Sequence, residues 1–340
     1  MALTKGSTLW KNRYQVQKLL ARGGFGFIYL ALDQLNGRQV VIKELIPALI
    51  SDTDVLRRFI REGRTLQRLN HPNIVRAETM FKERDHHYLI MEYLNGGVLS
   101  DWLEQGRQLA LGETIMIALA LCDAIDYLHQ MGITHCDLQP GNILFDQQGH
   151  PKLIDLGIAH VPDELVHRPW RTERDLAIGT VFYMSPEQLE GVRDDPRIDI
   201  YALGTLLYHM LAGRHYLNFD LRNTAGARAD NVALVRTSSP EPIPHVPGSV
   251  NTALLKALEK QPAQRYPTIT AFRQALLQVT LPYLSPSTGD WIVAPFPQQG
   301  ATQFAWKPQT DEWPRWVWPA LIAANLGIML LAALLLLTMT

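Results

Sequence analysis

Asp137, Asn142 and Asp155 punctuate two short apolar stretches, ITHCDLQPGNILF at 133–145 and PKLIDLGIA at 151–159. A carboxylate, an amide and a second carboxylate in that order suit phosphoryl transfer. One carboxylate accepts the proton of an attacking hydroxyl, while the other two groups hold a divalent metal ion. One acid on a loop is ordinarily solvated surface, so the weight falls on the whole series. Lys43 adds a cation. It closes the apolar run Val40-Val41-Ile42-Lys43, where a buried ammonium is costly unless it is paired. Glu62, in the segment that follows, is a suitable partner: Lys43 would grip the α- and β-phosphates while Glu62 fixes its rotamer. A third feature is the glycine cluster in LLARGGFGFIY, with Gly23, Gly24 and Gly26 between two predicted strands. A dinucleotide-binding fold would continue from such a cluster into a helix, so that reading fails. Strand, glycine-rich turn and strand, from Leu20 to Ile28, make a flap whose backbone N–H groups approach nucleotide phosphates. A plain hairpin turn uses the same residues.

These groups need elements to hold them. Residues 13–44 alternate apolar runs with turns and predict three short strands. Residues 52–69 carry Val55, Phe59, Leu66 and Leu69 at helical spacing, and 86–94 (HHYLIMEYL) read as a strand. From 98 onward the chain reads as mostly helical, including 112–130, 199–212 and 252–279, with a proline-rich loop at 238–248. No internal repeat is evident. The plan is α+β: a small β-rich lobe, a larger helical lobe, a linker and an anchor.

Composition narrows the partners. The chain has 340 residues, with 32 Lys+Arg against 33 Asp+Glu and a formal charge of −1, which excludes the broad basic field of a nucleic-acid binder. Two cysteines exclude a disulfide framework and a cysteine-only zinc site. Cys122 reads as core filler, and His86 and His87 as surface rather than ligands. Residues 281–315 mix Pro, Gln, Thr, Gly and Trp without a period and read as a juxtamembrane linker, whose Trp306 and Trp313 suit a partner or a bilayer surface. Residues 316–340 carry no charge, show no polar stripe and have Trp313, Trp316 and Trp318 at their entry, which predicts a transmembrane helix. The N-terminus lacks a secretory apolar core, so no signal peptide is expected. Lys307 and Arg315 lie on the near side of the span, and the positive-inside rule then keeps residues 1–315 cytoplasmic. With the chain ending at Thr340, no sensing domain beyond the membrane is expected. Crowding on the membrane, or a partner in the bilayer, is the expected route of activation.

Over residues 14–280 the series resembles the eukaryotic-type (Hanks-type) Ser/Thr protein kinases in their bacterial style, and the resemblance implies a bilobal kinase fold. RGGFGFIY resembles the glycine-rich loop, so Leu20, Ala21, Arg22, Gly23, Gly24, Phe25, Gly26 and Ile28 would cover ATP. VVIK resembles the strand with the phosphate-gripping lysine, and FIREGRTLQRLNHPNIV the helix with its glutamate. LIMEYLNGG resembles the hinge, with Met91 as gatekeeper and Glu92 to Leu94 along the adenine edge, while Val41 would lie against the adenine with Ile28 above and Leu144 below. HCDLQPGN resembles the catalytic loop and DLG the magnesium motif. These imply Asp137 as the base, Asn142 and Asp155 as ligands of Mg2+ (or Mn2+), and Gln139 beside the γ-phosphate. GTVFYMSPEQ resembles the end of the activation segment, where Thr180 would favour Ser/Thr acceptors. Asp199 would brace the catalytic loop, and Arg265 would pair with Glu187. Small-molecule kinases share HxDLxPGNIL but lack this activation segment, so protein substrates are implied, with self-association and autophosphorylation as companions.

Four positions depart from the family pattern. Ala21 replaces a loop glycine and stiffens the flap slightly. Val41 replaces the usual alanine and tightens the purine slot. Cys136 replaces an arginine that reads activation-segment phosphate, so Thr172→Ala is expected to leave most of the rate intact; a redox role for Cys136 competes with simple space filling. Gln139 replaces a lysine that offsets charge on the transferring group, which predicts slow chemistry raised by Gln139→Lys. An ATP-binding pseudokinase scaffold is the alternative. Arg168, Arg171 and Arg174 make the activation segment basic, fit either to steer acidic substrates or to be solvated.

Overall fold

The structure is a computed structural model, and it describes residues 3–23, 26–104, 106–156, 159, 181–222 and 224–280. The small lobe is an antiparallel sheet of β1 (Thr8–Leu9), β2 (Tyr14–Arg22), β3 (Gly26–Asp33), β4 (Arg38–Leu45), β5 (Ala77–Glu83) and β6 (His86–Glu92). Its spatial order is β1-β2-β3-β4-β6-β5. Strand alternation sets the faces. Val40 and Ile42 of β4 are buried with Tyr14, Tyr29 and Ile90, so Val41 and Lys43 turn to the opposite side, toward the second lobe.

Helix α1 (Thr53–Arg68) follows β4. Asp52 caps it by accepting from the N–H groups of Asp54 and Val55. Phe59, Glu62 and Leu66 lie three and four residues apart, so one helix face carries two core anchors and a carboxylate into the interior.

The larger lobe contains α2 (Leu99–Leu103), α3 (Leu111–Gln130), the hairpin β7 (Ile143–Phe145) and β8 (Pro151–Leu153), α4 (Pro186–Leu189), α5 (Arg197–Ala212), α6 (Ala225–Thr237), α7 (Gly248–Ala257) and α8 (Ile269–Thr280). Helices α3 and α5 are apolar on most sides because other helices surround them. Cys122 is part of that packing, as expected.

Three expectations change. The helix predicted over 252–279 is two helices, α7 and α8, because Pro262 cannot continue the hydrogen-bond ladder. The strand at 86–94 ends at Glu92. His86 is not plain surface: its Nδ1 lies 2.6 Å from Oε1 of the fully buried Glu44, which also accepts from the Tyr29 hydroxyl. Strand β5 and helix α6 had no clear period in the sequence. Among the described residues no helix is long and apolar enough to cross a membrane. The linker 281–315 and the apolar segment 316–340 lie outside the described residues, as do the activation-segment residues Arg168, Arg171, Thr172 and Arg174.

Candidate active site

The site lies where the face of β4 meets the β7–β8 hairpin. Lys43 Nζ donates to Glu62 Oε1 at 2.6 Å, and Asp155 Oδ1 stands 3.7 Å from the same nitrogen. Burial disfavours the ammonium, but the two carboxylates outweigh it and hold Lys43 above the ordinary lysine range. Burial is the largest influence on Glu62 and pushes its carboxyl up; the Lys43 ammonium opposes it. A charge-assisted bond of this length fixes the lysine rotamer, as its place in an apolar strand required.

Below it, Pro140–Asn142 form one turn of 3-10 helix, and Ile154 N–H donates to Asn142 O, so the hairpin ties the catalytic loop to the Asp155 loop. Asn142 Nδ2 donates to the Asp137 main-chain oxygen at 2.9 Å and to Asp137 Oδ2 at 2.8 Å. Gln139 Nε2 donates to Asp137 Oδ1 at 2.9 Å. Both oxygens of Asp137 therefore have a fixed donor. Burial and then the nearby Asp155 push Asp137 up to about 6, against the pull of the two amides.

The loop is held in a costly backbone shape. Cys136 has φ 64° and Asp155 φ 64°, the left-handed region that L-residues avoid. Asp199, buried at the start of α5, stabilises the first of these. Its Oδ2 accepts from His135 N–H at 2.8 Å, and its Oδ1 from Cys136 N–H at 2.9 Å. His129 Nε2 adds a 2.8 Å contact to Oδ2. Burial alone would raise Asp199, but these bonds hold it below the usual carboxylate range. Strain over-determined in this way is characteristic of functional loops.

Leu20, Ile28, Val41, Met91 and Leu144 are all half-buried apolar residues, drawn from both lobes. Ala21 opposes Ile28, and Val41 opposes Met91, in adjacent strands. Leu94 is buried just beyond β6. Apolar side chains left partly open on facing walls suit a flat ligand such as a purine. The carboxylate of Glu92, at the end of β6, is engaged on both sides. Oε1 accepts from Arg76 N–H and from Lys152 Nζ, each at 2.8 Å, and joins the end of β6 to β8 across the hinge. Gly26 is also constrained by its own sheet. A Cβ there would meet Glu44 O at 2.6 Å, so the neighbouring strand by itself excludes a side chain. Gly23 N–H closes the turn onto Gly26 O at 2.8 Å. Arg22 is exposed, with its guanidinium 5.4 Å from the centre of the Phe27 ring. Gly24, Phe25 and Thr180 lie outside the described residues.

The donor set fits a magnesium ion. Both hydrogen bonds of Asn142 Nδ2 go to Asp137, which leaves Oδ1 of that amide as the acceptor, and Asp155, at the other end of the β7–β8 hairpin, keeps 40% of its side chain exposed. Among the described residues no three His, Cys, Asp or Glu cluster to hold a metal alone. One amide and one carboxylate would need phosphate oxygens to complete the shell, which suits a metal that arrives with a nucleotide.

Away from the cleft, Arg265 donates to Glu187 Oε1 and Oε2 at 2.5 and 2.8 Å. That pair ties α4 to the turn between α7 and α8. The model of the Protein kinase domain matches residues 14–277, which span every element of the site. This chain belongs to the protein kinase domain family. Bacterial relatives agree. The chain is 33% identical over 287 residues to the probable serine/threonine-protein kinase PknB of Bifidobacterium longum, covering 82% of this chain and 41% of that protein. It is 36% identical over 262 residues to the serine/threonine-protein kinase PrkC of Bacillus subtilis, covering 76% and 39%. It is 38% identical over 275 residues to the serine/threonine-protein kinase Pkn1 of Myxococcus xanthus, covering 79% and 38%. The chain thus spans about 40% of the length of these relatives.

Within this kinase domain, four contributors were missed from sequence: His129, Lys152, Gln188 and Arg193. Gln188 Nε2 donates to Cys136 O at 2.6 Å. Each acts through a partner far away in the chain, and only Lys152, a charged residue in an apolar strand beside Asp155, carried a local signal.

Proposed function

We propose that this kinase domain transfers the γ-phosphoryl group of ATP to serine or threonine hydroxyls of proteins. The observation that carries the reading is the convergence of Asp137, Asn142, Lys43, Glu62 and Asp155 on one cleft with an apolar slot beside it. In this reading Asp137 orients the acceptor hydroxyl and takes its proton. Lys43, fixed by Glu62, binds the α- and β-phosphates. Asn142 and Asp155 hold Mg2+, which neutralises charge on the phosphates when bound. The Leu20–Ile28 flap excludes water above the nucleotide. Protein rather than small-molecule acceptors are supported by the Glu187–Arg265 pair, which builds the segment against which a substrate chain would lie.

Chemistry is expected to be slow, because Gln139 offers a neutral amide where a cation would better serve the moving phosphoryl group. The same observation favours a second reading, an ATP-binding pseudokinase scaffold. We further propose that residues 316–340 anchor the chain in a membrane with the kinase domain on the cytoplasmic side, in a bacterial inner membrane, and that crowding there promotes autophosphorylation. Label transfer from γ-labelled Mg·ATP separates the two readings: transfer lost in Asp137→Asn supports the enzyme, and nucleotide-dependent thermal stabilisation without transfer supports the scaffold.

A further inference from the structure

Helix α1 carries five of the chain's 32 Lys and Arg within its 16 residues: Arg57, Arg58, Arg61, Arg64 and Arg68. Its acids are Asp54, in the first turn, and Glu62, which is buried against Lys43. The whole chain has a formal charge of −1, so the excess is local. Arg57, Arg61, Arg64 and Arg68 lie four, three and four residues apart and share one face. By the helical repeat, that face is nearly opposite the one that buries Phe59, Glu62 and Leu66. Arg57, Arg64 and Arg68 are exposed, and Arg61 is half-buried.

Such a stripe does not serve the helix that carries it. Like charges three or four residues apart repel, and solvent-facing helices ordinarily interleave both signs. Arg68 has a local reason, since the last turn of a helix favours a cation; Arg57 lies toward the other end of the dipole. Among the described residues no carboxylate forms an ion pair with Arg57, Arg64 or Arg68. These guanidiniums are open to an anion from outside the domain.

Their arrangement selects the kind of anion. From Arg57 to Arg68 the stripe runs along about 16 Å of helix and does not converge on a point. One phosphate group does not reach all four side chains, whereas a plane of anionic headgroups does. Each cation brought to such a plane gains about fivefold in partition. A plane is within reach of the sequence: fully extended, residues 281–315 span at most about 120 Å, so a bilayer that holds 316–340 is accessible to this face of the domain.

We propose that the face of α1 bearing Arg57, Arg61, Arg64 and Arg68 docks on the anionic headgroups of a lipid bilayer. The inference rests on the membrane reading of 316–340 and deepens it, since it gives the tethered domain a defined orientation. Glu62 sits on the opposite face, so the bilayer meets α1 without touching the Lys43–Glu62 pair.

The test uses the full chain, reconstituted with phosphatidylcholine vesicles that contain or lack phosphatidylglycerol. Both native cysteines are buried, so Gln67→Cys, exposed beside Arg64 and Arg68, takes a fluorescent label selectively. Energy transfer from that label to a headgroup-labelled lipid reads the approach of α1. Retention on neutral vesicles at high salt reads the anchor alone; its loss defeats the anchor reading and leaves the stripe to be judged by the free chain on phosphatidylglycerol vesicles. Phosphatidylglycerol is expected to raise the transfer, and high salt to abolish the rise. Arg57→Gln, Arg64→Gln and Arg68→Gln are each expected to weaken the contact about fivefold, and the three combined to lose the rise, with the unfolding midpoint kept. Lysine at the same three positions should preserve it, as should the charge-matched control Lys18→Gln, Arg214→Gln and Arg236→Gln. Transfer that ignores phosphatidylglycerol, a triple glutamine variant that keeps the rise, or a control that loses it equally would overturn the proposal. If Mg·ATP, in place of lipid, alters the label signal in the wild-type stripe and not in the triple glutamine variant, the stripe takes a phosphorylated segment and the proposal falls.

Discussion

Burial and Asp155 raise Asp137 to about 6, while donors from Asn142 and Gln139 hold its two oxygens in place. A base must be ionised to accept a proton, so activity falls as pH drops through that value. The kcat/KM profile of the wild type is expected to show an acid limb near pH 6; a flat profile down to pH 5 would show that Asp137 does not limit the reaction. Gln139 lies 2.9 Å from the same carboxylate, so a lysine there places a charge where the γ-phosphoryl moves. Gln139→Lys is expected to raise kcat by about tenfold or more, within the range of such contacts. Steady-state kinetics with a peptide acceptor check it, and an unchanged or lower kcat would assign the charge to another residue. At this scale the sequence was informative where a residue type contradicted its surroundings. A lysine in an apolar strand must find a carboxylate, and Glu62 was the partner at hand. Glu92 and Arg193 were illegible because their contacts, to Lys152 and to Cys136, close over large separations in the chain.

Elements explain which positions tolerate change. The antiparallel pair β3–β4 brings Gly26 so near Glu44 that a methyl group would sit 2.6 Å from its carbonyl oxygen. Gly26→Ala is therefore expected to cost about 1–3 kcal/mol of stability, as overpacking does, read as a lower midpoint of thermal or denaturant unfolding; an unchanged midpoint would mean the strands part at no cost. Three strands and the helix of the small lobe could be read from periodicity, since alternation and helical spacing write themselves into β2–β4 and α1. The break between α7 and α8 was missed because both segments are apolar and only Pro262 marks the stop. Strand β5 was missed because AETMFKE is half-buried and does not alternate.

For the molecule as a whole, one hydrophobic core runs from Leu45, Phe59, Leu66 and Leu89 of the small lobe into the helices of the larger lobe, and paired charges cross beside it. Lys43 reaches toward Asp155, and Glu92 holds Lys152, so the cleft is set by paired charges on either side of the hinge. The kinase domain is followed in the sequence by the linker and the uncharged stretch 316–340. If that stretch spans a bilayer, the full chain should remain with membranes after washing at high salt and at alkaline pH, and leave them only in detergent; release by salt alone would contradict the anchor.

The central claim is that this cleft moves a phosphoryl group from ATP to a hydroxyl through Asp137. The most direct measurement is mass-spectrometric mapping of phosphorylation sites on the full chain after incubation with Mg·ATP, for the wild type and for Asp137→Asn side by side. The account predicts phosphoserine or phosphothreonine in the wild type and none in the variant. Equal modification of the two proteins, or none in either under conditions where ATP binds, would contradict it.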